Sequence, residues 1–341
     1  MSRIKVQPCS PVQLHSVYRR ARILFAVAVF SSGPLWGSGF LAYFEAQGIV
    51  GRSSLHQTVF YSMNPDETMQ KPSLGLDGLG RISGASGDAA VLALQVRLAY
   101  DETEKNGIQP QLYNAYAKWK WRFSDVWIGH NRPAVGMSSY LDSHALLLPT
   151  LAMRGFGFDR DWGIGFYRPF EKGDLALSVT TGSGMPLLAR GNFFAAGRVS
   201  RGVLVQDNWN IGFTLSYGDV LHTMGYRLAM PEPFRLEMIG TDFTRFWNAV
   251  EVRAEGFLGR RDGRRFSTLF LRIGLNLFEE NRLKIEMQPA AVWDAAVFRR
   301  SIAAGISWLV SGDWTMRSMF EYGRPSGEKK AVVQFYYYKR L

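Results

Sequence analysis

The feature that most constrains this chain is a strict alternation of apolar and polar residues in its second half. In the segment 282–288, Leu283, Ile285 and Met287 alternate with polar or charged residues, and the run 269–277 just upstream has an apolar residue at every odd position. Successive side chains of a β-strand point to opposite faces, so each run predicts a strand with one apolar and one more polar face. The short polar segment between the runs predicts an antiparallel hairpin.

Similar alternation recurs from residue 40 to the C terminus, and no helical period of comparable length competes with it. We predict an all-β fold of about 16 strands, within a range of roughly 14 to 20, because strand boundaries are poorly defined by sequence. Residues 64–87 are rich in Pro, Gly, Asp and Ser and are expected to form a loop with at most a short strand. In the strand predicted over 112–123, one face is expected to carry Tyr113, Ala115, Ala117, Trp119, Trp121 and Phe123.

Two environments could receive the apolar faces: the core of a secreted soluble β-protein, or lipid. Lys118 and Lys120 lie inside a strand, on its polar face, which suits a water-filled lumen. The aromatic strand at 335–338 resembles the C-terminal strand that the outer-membrane assembly machinery recognises. Strands can cross lipid only as a closed barrel, because every backbone polar group needs a partner. We therefore predict a transmembrane antiparallel β-barrel, a single domain over 40–341, with lipid around it in the outer membrane of a Gram-negative bacterium.

The first 39 residues have the layout of a secretory signal peptide. Arg19, Arg20 and Arg22 precede a short apolar run at 23–30, and small residues follow it. We predict a signal peptide over 1–39, with cleavage near Gly39. The alternative is an N-terminal anchor helix that is not cleaved, although the apolar run is short for a membrane span.

The cysteine content and the charge exclude several functions. Cys9 is the only cysteine and lies within the predicted signal peptide, so the mature chain has no thiol for a disulfide, a thiolate metal site or covalently attached c-type haem. The leader holds five basic and no acidic residues, which leaves 35 basic and 29 acidic residues and a net charge of +6. These charges are dispersed rather than clustered, so nucleic acid is not an expected partner.

A barrel of about sixteen strands leaves an aqueous channel rather than a filled core. Inward-facing cations favour anions, so we predict a mildly anion-preferring lumen. The alternative for any single residue is that it pairs with an acid on a neighbouring strand and only braces the wall. The predicted pore-lining residues are Arg97, Lys118, Lys120, Arg122, Arg253, Arg272, Arg282, Lys284, Glu286 and Arg317.

The segment from Ile128 to His144 breaks the rhythm of the strands, and long irregular loops in compact folds are often functional. We predict that it folds into the lumen and forms a constriction or a contact with a partner, through His130, Arg132, Asp142 and His144. The alternative is that the histidines are ordinary polar loop residues. The stretch 128–136 resembles the Gly-Arg-Pro-type strand ends of anion-selective porins.

A wider resemblance rests on three motifs, His-Asn-Arg-Pro at 130–133, Asp-Ser-His-Ala-Leu-Leu-Leu-Pro at 142–149 and Arg-Gly-Phe-Gly-Phe-Asp-Arg-Asp-Trp-Gly at 154–163. They resemble the porin component of porin–cytochrome electron conduits, in which a barrel sheathes a multihaem c-type cytochrome for extracellular electron transfer. The resemblance implies that haem is present only through the partner cytochrome and that the barrel binds none covalently. The alternative is a general or anion-preferring diffusion porin without a cytochrome.

Enzymatic activity is not expected. Gly-rich stretches such as 182–184 lack the strand-to-helix context that a catalytic motif requires.

Overall fold

The computed structural model describes residues 37–55, 57–59, 70–84, 87–101, 104, 106–142, 146–294 and 297–341. In these ranges, short helical segments lie at Gly136–Ser139, Ala152–Arg154, Leu204–Asp207 and Glu279–Asn281. No helix in the described part of the chain is long and apolar enough to span a membrane. The strands are β1 (Gly37–Ser53), β2 (Gln57–Val59), β3 (Ser73–Gly84), β4 (Gly87–Tyr100), β5 (Ile108–Lys120), β6 (Asp125–Asn131), β7 (Asp161–Phe170), β8 (Gly173–Thr180), β9 (Phe193–Arg201), β10 (Trp209–Met224), β11 (Arg227–Trp247), β12 (Val250–Arg261), β13 (Arg264–Leu277), β14 (Leu283–Asp294), β15 (Val297–Leu309), β16 (Trp314–Arg324) and β17 (Lys329–Arg340).

The described strands form one closed antiparallel barrel. β1 pairs with β17 from Tyr43↔Arg340 to Ser53↔Lys330, and its other edge pairs with β3. The three-residue β2 pairs with the end of β1 and is not counted as a separate strand of the barrel wall. The remaining strands follow one another in chain order, so sixteen strands close the wall of the described barrel. The prediction of an antiparallel barrel of about sixteen strands is confirmed.

The two ends of the barrel differ. The terminus end carries the start of β1 and the last residue, Leu341, whose N–H donates to the carbonyl of Ala42. It also carries short connections such as 121–124 and 171–172. The opposite, loop end carries the segment between β6 and β7, and we call its described residues, 132–142 and 146–160, the inner loop.

The outer face of the barrel is apolar. Four apolar residues of the alternating segments 269–277 and 282–288 face outward: Leu269, Ile273, Ile285 and Met287 are 51%, 39%, 42% and 46% exposed, whereas the intervening Glu286 is buried. Such a continuous apolar surface requires lipid, which supports the predicted membrane environment. Exposed aromatic side chains form girdles at both ends: Trp119, Trp121, Phe123, Phe170, Trp247, Phe278, Trp308 and Trp314 at the terminus end, and Tyr100, Phe193, Tyr217, Trp293 and Phe298 at the loop end.

A β-bulge in β5 overturns the predicted position of Tyr113. Gln95 pairs with Asn114 and Val96 pairs with Leu112, so Tyr113 is the extra residue between them. Its side chain is therefore buried, and its hydroxyl donates to Asp159 Oδ2 in the inner loop (3.1 Å). The alternation in this strand changes phase at the bulge, which the sequence pattern does not reveal.

Other boundaries also differ from the predictions. β5 ends at Lys120, so Arg122 lies exposed in the turn that follows, and Arg282 lies exposed in the turn before β14. The expected loop over 64–87 contains the twelve-residue β3, whose glycines accompany a regular pairing with both β1 and β4. The predicted signal peptide stays a prediction, because residues 1–36 lie outside the described residues and β1 begins at Gly37.

Candidate functional site

The inner loop folds into the barrel instead of standing away from its end. Its residues Met137 and Leu151 have no exposed surface, although the loop is part of no strand. The chain makes this sharp entry at Gly136, which has a φ of +45°. A Cβ atom at this position would overlap the carboxylate of Glu255 on β12, so only glycine lets the backbone come this close to the wall.

The first half of the inner loop is anchored by its own backbone. The N–H of Ala134 donates to Ser178 Oγ on β8 (2.9 Å), and the N–H of Gly136 donates to Thr214 Oγ1 on β10 (3.0 Å). The N–H of Met137 donates to Glu255 Oε1 (2.6 Å). Polar side chains of the wall therefore accept the hydrogen bonds that the N–H groups of a regular strand would donate to a neighbouring strand.

The second half is anchored through its carbonyl groups by side chains of β12–β14. Arg272 Nη2 donates to the carbonyl of Leu148 (2.9 Å), and Gln288 Nε2 donates to that of Pro149 (2.8 Å). Arg261 Nη2 donates to the carbonyl of Gly155 (2.8 Å). The inner loop therefore crosses the interior and lies against the wall on the far side from β6.

Apolar contacts inside the barrel also hold the inner loop against the wall. Leu147 and Leu148 pack into a cluster with Ile49, Ala303, Met319 and Val332 of the wall. A larger cluster around Met137, Leu151 and Phe156 includes the wall residues Phe257, Phe266, Phe270 and Val292. The interior thus contains a hydrophobic core between loop and wall, a feature that a simple water-filled pore does not require.

Three of the predicted constriction residues, His130, Arg132 and Asp142, lie near the base of the inner loop. Arg132 Nη2 is 3.0 Å from Asp142 Oδ2, and Arg160 Nη2 is 3.1 Å from Asp142 Oδ1, so one carboxylate joins both ends of the loop. His130 is fully buried near the end of β6, with its ring centroid 4.9 Å from that of Trp162. His144 lies outside the described residues.

Arg160 was not a predicted site residue, yet it is the centre of this cluster. Its Nη1 is 3.2 Å from Asp159 Oδ2, its Nε donates to Asn114 Oδ1 (2.9 Å), and its guanidinium lies over the ring of Tyr113. Burial opposes the charge, but the nearby Asp159, Tyr113 and Asp142 raise the pKa of the guanidinium above its ordinary value. Arg160 is therefore a permanent cation that fastens the inner loop to β5.

Five of the predicted pore-lining residues form one group on the inner wall of β12–β16: Arg253, Arg272, Lys284, Glu286 and Arg317. Lys284 Nζ is 3.0 Å from both Glu251 Oε2 and Glu286 Oε1, and Arg253 pairs with Glu251 as well. Arg317 Nη1 donates to Gln334 Oε1 (3.0 Å). We call these residues, together with Glu251, the charged wall.

Three further predicted residues lie on the opposite side of the barrel, and each is close to an acid. Arg97 Nε is 3.7 Å from Glu45, Lys118 Nζ is 3.5 Å from Asp125, and Lys120 Nζ is 3.6 Å from Asp88. Charge pairing across strands, which the sequence left as an alternative, therefore accounts for these side chains. Arg122 and Arg282 lie in turns and belong neither to the charged wall nor to the group on the opposite side of the barrel.

A buried cation that the sequence did not single out also supports the loop. Arg198 on β9 donates from Nε to Asp242 Oδ2 (2.9 Å) and from Nη2 to Asp242 Oδ1 (2.8 Å). The guanidinium also lies 4.8 Å from the ring centroid of Tyr140, whose hydroxyl donates to the same carboxylate (3.0 Å). A Cβ at Gly212 would overlap Arg198, so this glycine makes room for the pair.

The hairpin of β10 and β11 extends over the mouth at the loop end. Near the tip of this hairpin, the hydroxyl of Tyr226 donates to the carbonyl of Leu112 (2.8 Å), and Arg227 Nη2 is 3.0 Å from Asp101 Oδ1. Leu112 and Asp101 belong to β5 and to the segment after β4, so these contacts reach across β6–β9. Between this hairpin and the inner loop lies a cavity of about 430 Å³, which we call the loop-end chamber.

The fold that these elements build is that of outer-membrane porins. The described structure is similar to a loop L8 deletion mutant of OmpT, an outer-membrane protein of Vibrio cholerae, with a TM-score of 0.65 and 9% identity over 89% of this chain and 99% of the other. It is also similar to an anion-selective porin from Comamonas acidovorans, with a TM-score of 0.60 and 13% identity over 89% of this chain and 100% of the other. For Salmonella typhi OmpF in complex with daunomycin the TM-score is 0.63, with 11% identity over 89% and 98% of the two chains.

At these identities the similarity shows the fold alone. No protein-family model matches the chain, and no curated protein sequence is significantly similar to it. The porin fold, together with the apolar outer face, confirms the prediction of an outer-membrane β-barrel. It does not extend to the predicted likeness to electron conduits.

Proposed function

We propose that this protein is a passive outer-membrane channel with a preference for anions. The observation that carries the proposal is the charged wall, which lies between the inner loop and the terminus end. Among the described inward side chains at this level, four cations stand against three acids: Arg253, Arg272, Lys284 and Arg317 against Glu251, Glu286 and the adjoining Glu255 of β12. Because pairing leaves an excess of positive charge in a narrow interior, anions are attracted and cations are repelled there. No enzymatic role is proposed.

The alternative of a sheath around a multihaem cytochrome has no such support. The inner loop packs against the wall through the clusters at Leu147, Leu151 and Phe156, so it fills part of the interior in which a sheathed partner would lie. We therefore favour the diffusion channel without a cytochrome.

The ion selectivity of the purified protein in a planar lipid bilayer tests this proposal. Under a KCl gradient, we expect open channels with a reversal potential of the sign that chloride selectivity gives. A cation-selective reversal potential, or no channels from correctly folded protein, would contradict it. Haem staining of the protein isolated from native membranes provides the second measurement: a stoichiometric haem protein that co-purifies would favour the sheath instead.

A further inference from the structure

The loop-end chamber combines two chemistries that a general diffusion pore does not need in one place. It has about 430 Å³ of space, which is within the range of small-molecule binding sites. Its floor is formed by two half-buried apolar side chains, Met153 of the inner loop and Phe234 of β11. An apolar body of moderate size would therefore lose its contact with water there.

The same chamber carries an excess of positive charge. Among the described residues that line it, seven are Lys or Arg and three are Asp or Glu. Arg261 and Arg299 share a single carboxylate, because Asp294 Oδ2 is 3.6 Å from Arg261 Nη1 and 4.0 Å from Arg299 Nη2. Neither contact is a short ion pair, so this pair of guanidinium groups retains the capacity to bind a further anion.

Arg261 is also held in a fixed position beside the apolar floor. Its guanidinium carbon lies 5.1 Å from the ring centroid of Phe156 and 5.8 Å from those of Phe234 and Phe266. The hydrogen bond from Nη2 to the carbonyl of Gly155 further restricts the rotation of the Arg261 side chain. A cation preorganised against aromatic rings places the charged and apolar parts of the chamber next to each other.

We propose that the loop-end chamber is a binding site for organic anions, specifically carboxylates that carry a hydrocarbon or aromatic body. The carboxylate contacts Arg261 and Arg299, and the body lies on Met153 and Phe234. A small inorganic anion would use only the guanidinium groups, and a neutral hydrocarbon would use only the floor. This inference rests on the proposed function, since it makes the channel selective for a class of solute.

The test is isothermal titration calorimetry of the detergent-solubilised full chain with 4-phenylbutyrate as the probe. We expect saturable binding, with acetate and the uncharged 4-phenylbutyramide weaker by about tenfold or more, because each lacks one of the two sets of contacts. Equal binding of phenylbutyrate and its amide would overturn the inference, as would the absence of saturable binding.

Variants locate the site. Arg261→Gln and Arg299→Gln should each weaken phenylbutyrate binding by about tenfold, the loss expected for one charge-assisted contact. Arg260→Gln is the matched control, since Arg260 is the neighbouring exposed residue on the opposite face of β12, and it should leave binding unchanged. If Arg261→Gln does not fold, Arg299→Gln decides, because Arg299 is 57% exposed. Unchanged binding in a folded Arg299→Gln variant would overturn the proposed site.

The KCl conductance of the same preparations separates the two proposals. A channel that conducts but does not bind phenylbutyrate contradicts only the binding site. Protein that binds phenylbutyrate but does not conduct contradicts only the channel.

Discussion

Within one set of strands, β12–β16, the inward side chains differ in chemistry between two levels of the barrel. Towards the terminus end they form the charged wall, in which Lys284 lies between Glu251 and Glu286. Towards the loop end the same inward face presents Phe257, Phe270 and other apolar residues to the inner loop. The outer face of these strands is apolar across its middle, and the cations on it, such as Arg260, lie near the loop end.

The difference shows that the direction in which a side chain points does not determine whether its surroundings are polar or apolar. The period of two decides that Phe270 and Arg272 point inward. The inner loop then decides that Phe270 meets Phe156 and Leu151 rather than water, whereas Lys284, nearer the terminus end, remains in the more polar half. Four sets of substitutions test this difference.

The largest effect is expected from unpacking the apolar half. Leu151→Asp places a carboxylate in a site without exposed surface, and the cost of burying an unpaired charge should release the inner loop from the wall. The strands keep their own hydrogen bonds, so the barrel should persist and the single-channel conductance should rise several-fold. Val205→Asp, at a residue 93% exposed, is the control. Unchanged conductance in folded Leu151→Asp would mean that the loop does not limit the pathway.

The next effect concerns the charged half. The double variant Arg253→Gln with Lys284→Gln removes two cations and leaves Glu251 and Glu286 without their closest partners. The reversal potential in a KCl gradient should therefore shift towards cation selectivity. Arg260→Gln, on the outer face, should produce no shift. An equal shift in the control would assign the selectivity to the general charge of the protein and not to this wall.

A smaller effect is expected from one hydrogen bond of the inner loop. Thr214→Val keeps the shape of the side chain but removes the acceptor of the Gly136 N–H, which costs about 1–3 kcal/mol for an unsatisfied buried donor. Limited proteolysis should cut within 132–160 faster than in the unchanged protein. Thr241→Val on the outer face of β11 should not change the cleavage rate, and a rate that stays the same in both variants would contradict the role of Thr214.

The smallest effect is predicted for the turn residues. Arg122→Gln and Arg282→Gln should leave the reversal potential within experimental error, because both side chains lie exposed in turns outside the inner wall. A shift comparable to that of the charged-wall variant would restore the original sequence prediction that they line the pore.

The pattern-based predictions succeeded wherever a strand was regular. Leu269, Ile285 and Met287 have the exposed orientation predicted for them, and Arg272 and Glu286 have the inward one. They failed at Tyr113, where one extra residue reverses the alternation of side-chain directions. They also failed over β3, where a sequence rich in glycine and polar residues forms a strand because it pairs with β1 and β4. Both failures depend on pairing with another strand, which a local pattern does not contain.

The candidate site was partly predictable for the same reason. The break in rhythm after β6 located the inner loop, and Arg132 and Asp142 do come together. Arg160, Arg198 and Arg261 were missed, because their importance lies in partners distant in sequence: Asn114, Asp242 and the carbonyl of Gly155.

The barrel follows from the amino-acid sequence, because period-two alternation assigns each side chain to one of two faces and lipid requires that the wall close. What fills the barrel follows from long-range contacts instead. An inward residue faces water, an oppositely charged partner or the inner loop, and contacts between residues distant in sequence, such as Leu148 and Arg272, decide which. These contacts exist only after the wall has closed around the loop.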